Sequence, residues 1–225
     1  MTGCESRKEM TGSRAAGKRK CMDLIFATGN KNKMHEIRRI LCDLTINGQQ
    51  VDIYSMKEKG VDIDIVEDGT SFAENAIIKA KAVAKCLPGS IVLADDSGLE
   101  IDYINKEPGI YSARYMGEDT PYHEKNLNLI ERIKDAKDEE RSARFVCAVA
   151  AVLPDGNVIH TVQTMEGRIA YEERGKNGFG YDPIFLVPPY EQTSAELSED
   201  EKNAISHRGK ALRAMRKMLE ESFSD

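Results

Sequence analysis

Residues 91–99 read Ile-Val-Leu-Ala-Asp-Asp-Ser-Gly-Leu. The run from Ile91 to Ala94 has no polar interruption, which is the pattern of a strand covered on both faces rather than one half exposed to water. Pro88 and Gly89, just before it, stop a helix. That helix is announced by Ser71 and Glu74, a capping-box pair, with Phe72, Ala76, Ile77, Ala80, Val83 and Leu87 at helical spacing. A capped helix, a sharp stop and a buried strand in that order predict an α/β chain, and the acidic pair Asp95-Asp96 is expected where the strand emerges.

Working outward, Leu24, Ile25 and Phe26 form a short apolar strand. A turn over Thr28 to Asn32 leads into a helix carrying Met34, Ile37, Ile40, Leu41 and Leu44. On the other side, a loop with Pro108 and Gly109 precedes a surface helix from Tyr122 to Lys134. Phe145 to Leu153 is continuously apolar, Pro154 to Asn157 is a turn, and Val158 to Met165 returns as an antiparallel partner. A glycine-rich loop (Gly175, Gly178, Gly180) follows, and the chain closes with Ser198 to Ala204, Ser206 to Gly209 and a helix bearing Leu212, Met215, Met218 and Leu219. Helices that first alternate with strands and then give way to a hairpin predict a mixed sheet, with two lobes sharing a cleft.

Composition narrows the function. The chain has 225 residues and a formal net charge of -6, so a broad basic face for long nucleic acid is not expected, nor are aromatics interleaved with basic residues. No apolar run approaches the roughly 18 residues of a membrane span. Five cysteines without a C-x-x-C pair point to reduced cytoplasmic thiols rather than a disulfide framework or zinc site. Residues 1 to 21 are polar and basic and are expected to be disordered, with residues 22–225 forming one domain; Met22 could be the natural start of a chain carrying an extension.

Five clusters carry chemistry. Thr28-Gly29-Asn30-Lys31-Asn32-Lys33 leaves a strand for a helix start, where free N–H groups and the dipole attract phosphate; it is not a Walker A loop, and an ordinary turn with solvated lysines would read the same way. Glu67-Asp68-Gly69 precedes the capped helix, whose Asn75 and Lys79 share one face, although loop carboxylates are commonplace. Asp95 and Asp96 would be costly to desolvate without a cation, and Mg²⁺ is a usual remedy for buried carboxylates; a turn Asp is the alternative. Phe179, between Gly178 and Gly180, could offer its ring to a base or merely anchor a loop. Lys202 precedes Ser206-His207-Arg208-Gly209, which puts His207 and Arg208 at a helix start, an unfavourable place for cations that an anion or a purine oxygen between them would explain; a solvated Arg and a satisfied His are the alternative.

Together these segments resemble the inosine/xanthosine triphosphate pyrophosphatase family, through A-T-G-N-K-N-K, E-D-G-T-S-F-A-E-N-A-I-I-K-A, A-D-D-S-G-L, P-G-I-Y-S-A-R-Y, G-F-G-Y-D-P-I-F and E-K-N-A-I-S-H-R-G-K-A-L, collinear from Asp23 to about Leu219. Asn32 stands where many relatives carry glycine, and asparagine tolerates positive φ. The resemblance implies an elongated mixed sheet flanked by helices, a cleft between two lobes, a homodimer, and Mg²⁺-dependent hydrolysis of ITP, dITP or XTP to monophosphate and pyrophosphate, which cleanses the nucleotide pool. It implies Asp96 as proton acceptor and metal ligand, Glu67 as a second metal contact, and Asp95 as support. Thr28 to Lys33, Ser97, Phe179, Gly180, Tyr181, Asp182, Lys202, His207 and Arg208 match substrate-contacting positions, and Lys79 is our addition. Donor-only Arg208, or a protonated His207, would then reject adenine. Two other readings stay open: a pyrophosphatase for modified pyrimidine or methylated nucleotides, and a nucleotide sensor that binds without cleaving.

Overall fold

A computed structural model describes residues 22–189 and 191–224; the expectation for residues 1 to 21 lies outside them. The elements are β1 (Met22–Phe26), α1 (Lys31–Ile40), β2 (Thr45–Ile46), β3 (Gln49–Ser55), α2 (Phe72–Cys86), β4 (Ile91–Ile101), β5 (Glu107–Pro108), α3 (Tyr122–Arg132), β6 (Ser142–Val152), β7 (Val158–Ile169), β8 (Phe185–Val187), β9 (Gln192–Thr193), α4 (Glu199–Ile205) and α5 (His207–Ser222). The strands form one sheet in the order β2-β3-β1-β4-β6-β7-β8-β9, with β5 also on β4. β1 runs parallel to β3 and β4, and every pairing beyond β4 is antiparallel. The expected mixed sheet and hairpin are therefore present, in an α/β fold.

Side-chain alternation along the central strands sorts the core. Leu24, Phe26, Ile91 and Leu93 face α1 and α5, packing on Met34, Ile37, Leu212 and Met215. Ile25, Val92 and Ala94 face the other way, onto Phe72, Ala76, Ala80 and Val83 of α2. Helices on both faces explain why these strands read as unbroken apolar runs. A third cluster lies farther along the sheet, where Leu99, Ile101, Phe145, Met165 and Phe185 meet Leu129 and Ile133 from α3 and its end.

Several boundaries differ from the sequence reading. β4 does not end at the acidic pair but continues through Asp95 and Asp96 to Ile101, because β6 pairs with it from Val92 to Ile101. α1 stops at Ile40, leaving Leu41 and Leu44 buried beyond it. Ser71 does cap α2 by accepting from the Glu74 N–H at 3.2 Å. The Glu74 carboxylate, however, turns to the N–H and hydroxyl of Thr70 (2.6 and 2.7 Å), so the reciprocal half of the capping box is made one residue earlier. Asn32 lies within α1, so glycine's conformational freedom is not required there.

Gly98 is the one place on β4 where a side chain is forbidden by its neighbours. A Cβ there would stand 2.4 Å from the Gly109 carbonyl oxygen, 2.5 Å from Ser112 Oγ and 2.9 Å from the Phe72 ring. Two of these belong to a loop that hydrogen-bonds across β4 through Ser112 Oγ, which accepts from the Leu99 N–H at 2.8 Å. Gly98→Ala is thus expected to lower stability by about 1–3 kcal/mol, the range for overpacking, measured by urea unfolding; an unchanged midpoint would show that the loop yields freely.

Candidate active site

β1 accompanies β4 only as far as Phe26, opposite Leu93. The chain then turns away through Thr28 to Asn30 into α1, while β4 runs on with β6, so the next residues of β4 border the gap that β1 leaves. Those residues are Asp95 and Asp96. Being adjacent on a strand, they point to opposite faces, and each meets a different set of partners. The sequence reading of them as a joint cation-binding pair is corrected on that ground: only Asp96 faces Glu67.

On the α1/α5 face, Asp95 Oδ2 accepts from Lys33 Nζ at 3.0 Å and lies 3.4 Å from Arg208 Nη2. Arg208 also donates to Ser97 Oγ (3.0 Å) and to Glu36 Oε2 (2.5 Å). Glu36 in turn holds Lys202 Nζ at 3.1 Å, and Lys202 reaches Asp182 at 2.7 Å. The chain of charges Lys33, Asp95, Arg208, Glu36, Lys202, Asp182 alternates in sign, which is what makes its burial tolerable. Burial alone would raise the pKa of Asp95, but Lys33, Arg208 and Lys79 outweigh it and hold the carboxyl well below its usual range. Glu36 is likewise lowered, burial being overcome by Arg208 and Lys202. The anions that balance Arg208 at the start of α5 are thus the protein's own carboxylates, Asp95 and Glu36.

On the α2 face, Asp96 accepts from Asn75 Nδ2 at 3.2 Å and Lys79 Nζ at 3.3 Å. Lys79 also holds Glu67 at 2.8 Å. Asn75 uses its other amide atom to accept from the Gly69 N–H at 2.9 Å, which ties down the loop carrying Glu67. The shared helix face of Asn75 and Lys79 thus points both at one carboxylate. Burial raises the pKa of Asp96, Lys79 counters it, and Glu67 adds to it; the outcome is a carboxyl above its ordinary range. Lys79 is raised as well, because Asp96, Asp95 and Glu67 outweigh its burial, so it is a firm cation.

The far wall comes from the second half of the chain. The half-buried Phe179 ring has Lys202 Nζ 5.0 Å and Arg208 Cζ 5.6 Å from its centroid, within cation–π range. Its backbone N–H donates to Asp182 at 2.8 Å. His207 stacks on Phe145, with centroids 4.8 Å apart and planes 17° from parallel. Burial, followed by the nearness of Arg208 and Lys202, pushes its pKa well below the ordinary value, so the expected protonated His207 is corrected to a neutral imidazole. Its Nδ1 has no hydrogen-bond partner among the described residues. Tyr181 donates its hydroxyl to the Ser112 carbonyl at 2.6 Å, and Asp182 is fully occupied by Lys202, Phe179 and Ser194, so both position the loop from within.

One cavity of about 420 Å³ gathers most of the expected residues. Thr28, Gly29 and Asn30 border it from the first loop, Lys33 from the first turn of α1, and Glu67, Lys79, Asp96 and Ser97 from the middle. Phe179, Gly180, Tyr181, Asp182, Lys202, His207 and Arg208 border it from the far wall. Lys31 and Asn32 do not line it; α1 carries them round to neighbouring grooves. The Asn30 side chain is spent on capping α1, accepting from the N–H groups of Asn32 and Lys33. The sequence reading missed Glu36, whose partners lie more than 160 residues away, and Phe145, hidden in an apolar run. Tyr122, which borders the cavity and meets Tyr181 edge-on at 5.2 Å, was also missed.

A model of the Ham1 family matches residues 24–218. A dITP/XTP pyrophosphatase of Clostridium perfringens (strain 13 / Type A) is 46% identical over 200 residues, covering 87% of this chain and 96% of that protein. One from Bacillus subtilis (strain 168) is 45% identical, covering 88% and 97%. Among solved structures, a HAM1 protein from Coxiella burnetii superposes with a TM-score of 0.79 at 42% identity, covering 89% of this chain and 99% of that one. A family match from Leu24 to Met218, and relatives aligned over nearly their whole length, place this chain in the Ham1 family.

Proposed function

We propose that this chain hydrolyses the triphosphates of hypoxanthine and xanthine nucleosides (ITP, dITP and XTP) to monophosphate and pyrophosphate, with Mg²⁺ as cofactor. The observation that carries the reading is the single cavity in which buried Asp96, paired with Lys79 and Asn75, faces the first loop and Lys33 on one side and Phe179, His207 and Arg208 on the other. The activity named for the relatives supports it.

The residues present fit a divalent ion. Glu67 and Asp96 converge on one ammonium, and the pKa of Asp96 is raised by its burial and then by Glu67, so a second cation beside the pair would favour its ionised form. Mg²⁺ is commonly held by one or two carboxylates with substrate phosphates completing the shell, and Glu67 and Asp96 would be those carboxylates. When bound, Mg²⁺ would neutralise phosphate oxygens and favour in-line displacement. Asp96 accepts the proton of the attacking water, Asn75 fixes the orientation of its carboxylate, and Lys33 and Lys79 offset phosphate charge. The Lys33 side chain, on Asp95 at 3.0 Å, lines the same cavity.

Base selection follows from hydrogen-bond polarity. A 6-oxo purine accepts at O6 and donates at N1, whereas adenine does the reverse. Arg208 and Lys202 are donors only, and neutral His207 offers one donor and one acceptor, so the pocket favours the 6-oxo pattern. With Mg²⁺ and ITP, XTP, GTP and ATP as a panel, kcat/KM for ITP and XTP is expected to exceed that for ATP by at least about 10²-fold, with monophosphate and pyrophosphate as products. Equal turnover of all four would remove the discrimination, and release of orthophosphate would change the reaction class. A homodimer and a cytoplasmic location complete the proposal; exposed Tyr111 and Met116 offer apolar surface for a partner copy, and no described helix is long and apolar enough to cross a membrane.

A further inference from the structure

We propose that the groove along α1 is a second anion subsite that receives phosphates beyond the third, so that nucleoside tetraphosphates are also cleaved. This deepens the reading above and rests on it. The groove, about 810 Å³, shares Thr28 and Gly29 with the catalytic cavity, so the two spaces meet at the loop assigned to the triphosphate. Its wall presents Lys31, His35, Arg38 and Arg39 from one face of α1, with Lys57 opposite.

The charges there are not all spoken for. Arg38 pairs with Glu58 at 2.6 Å, Arg39 with Glu199 and Asp200, and His35 lies 3.3 Å from Glu199. Among the described residues, Lys31 and Lys57 have no ion-pair partner, since the carboxylates at hand, Glu58 and Asp200, are bound to arginines. Lys57 stands at the junction itself: a Cβ placed on Gly29 would touch its Cε at 3.7 Å. Unpaired like charges around a concavity that continues a phosphate loop are the arrangement that attracts a longer polyanion. In the reaction, water attacks the α-phosphorus, its proton passes to Asp96, and the bond from that phosphorus to the α–β bridging oxygen breaks. The products are monophosphate and tripolyphosphate, the latter leaving along the groove.

The test uses the full chain with Mg²⁺, comparing ITP with inosine 5′-tetraphosphate and identifying products by anion-exchange chromatography. The wild type is expected to yield IMP and tripolyphosphate from the tetraphosphate. Lys57→Glu is expected to lower kcat/KM for the tetraphosphate by about tenfold while changing that for ITP less than about threefold, and neutral Lys57→Met to show a smaller bias of the same sign. ITP cleaved with the tetraphosphate untouched would overturn this inference alone. Equal losses on both substrates would do the same, by placing Lys57 at the first three phosphates. If neither is cleaved, the underlying functional reading falls and this one with it.

Discussion

Asp96→Asn is expected to lower kcat by about 10²–10⁴-fold, the usual contribution of a positioned proton acceptor, without loss of folding. The amide keeps the shape of the side chain but cannot take a proton or attract a cation. Lys79 would keep Glu67 at 2.8 Å as its partner, so no buried ammonium is stranded. The pKa of Asp96 is raised, first by burial and then by Glu67. Because Asp96 is also a carboxylate proposed to hold Mg²⁺, a bound ion would favour its ionised form, so the upward shift applies to the metal-free protein. The same shift fixes the sign of the stability effect. A carboxyl with a higher pKa folded than unfolded binds protons more tightly in the native state, so stability falls as pH rises through that window. At neutral pH the ionised side chain therefore costs stability, and the asparagine variant should melt no lower than the wild type, the trade commonly found at active sites. Retention of kcat within about threefold would take Asp96 out of the chemistry.

The difference between Asp96 and its neighbour was legible in the sequence and was not used there. Adjacent residues of a strand face opposite ways, and once Ile91 to Ala94 is read as strand, Asp95 and Asp96 cannot act on the same point unless the strand ends between them. The sequence reading let it end, because nothing local says that β6 continues alongside as far as Ile101. The helices, the buried strands and the hairpin were legible because apolar periodicity and turn residues are local signals. The same holds for Asn75 and Lys79, four apart on a capped helix. Glu36 was not legible: it lies between apolar Met34 and Ile37 on α1, and only the packing of α4 and α5 gives it two cations to hold. Nor could the charge state of His207 be read, since Phe145, which stacks on it, comes from a distant strand. Tyr181 and Asp182 were found as part of the glycine-rich motif, but their burial, at 4% and 3% exposure, makes them supports of the loop.

Asp95→Ala is expected to be the most destabilising change at the site. Its carboxylate, 2% exposed, is the anion between Lys33 and Arg208, and through them it joins the first turn of α1 to the start of α5. Removing one partner of a buried pair strands the other charges and typically costs about 3–5 kcal/mol; at roughly 2–4 °C per kcal/mol for a chain of this size, Tm should fall by more than about 6 °C. Arg208 keeps Glu36, whereas Lys33 is left with no described partner, so Lys33 should bear most of the loss. The pH dependence runs opposite to that of Asp96. The pKa of Asp95 is depressed in the folded state, burial being outweighed by Lys33, Arg208 and Lys79, so its contribution is present above the unfolded value of about 3.9 and is lost as pH falls toward the folded value. The gap in Tm between wild type and variant should thus be full at pH 7 and shrink below about pH 4. Calorimetry at both pH values tests this, and a gap under about 2 °C at pH 7 would mean that water replaces the carboxylate at little cost. Added ITP supplies phosphate to the freed Lys33 and should raise the Tm of the variant more than that of the wild type, because in the native protein Asp95 competes with substrate for that ammonium.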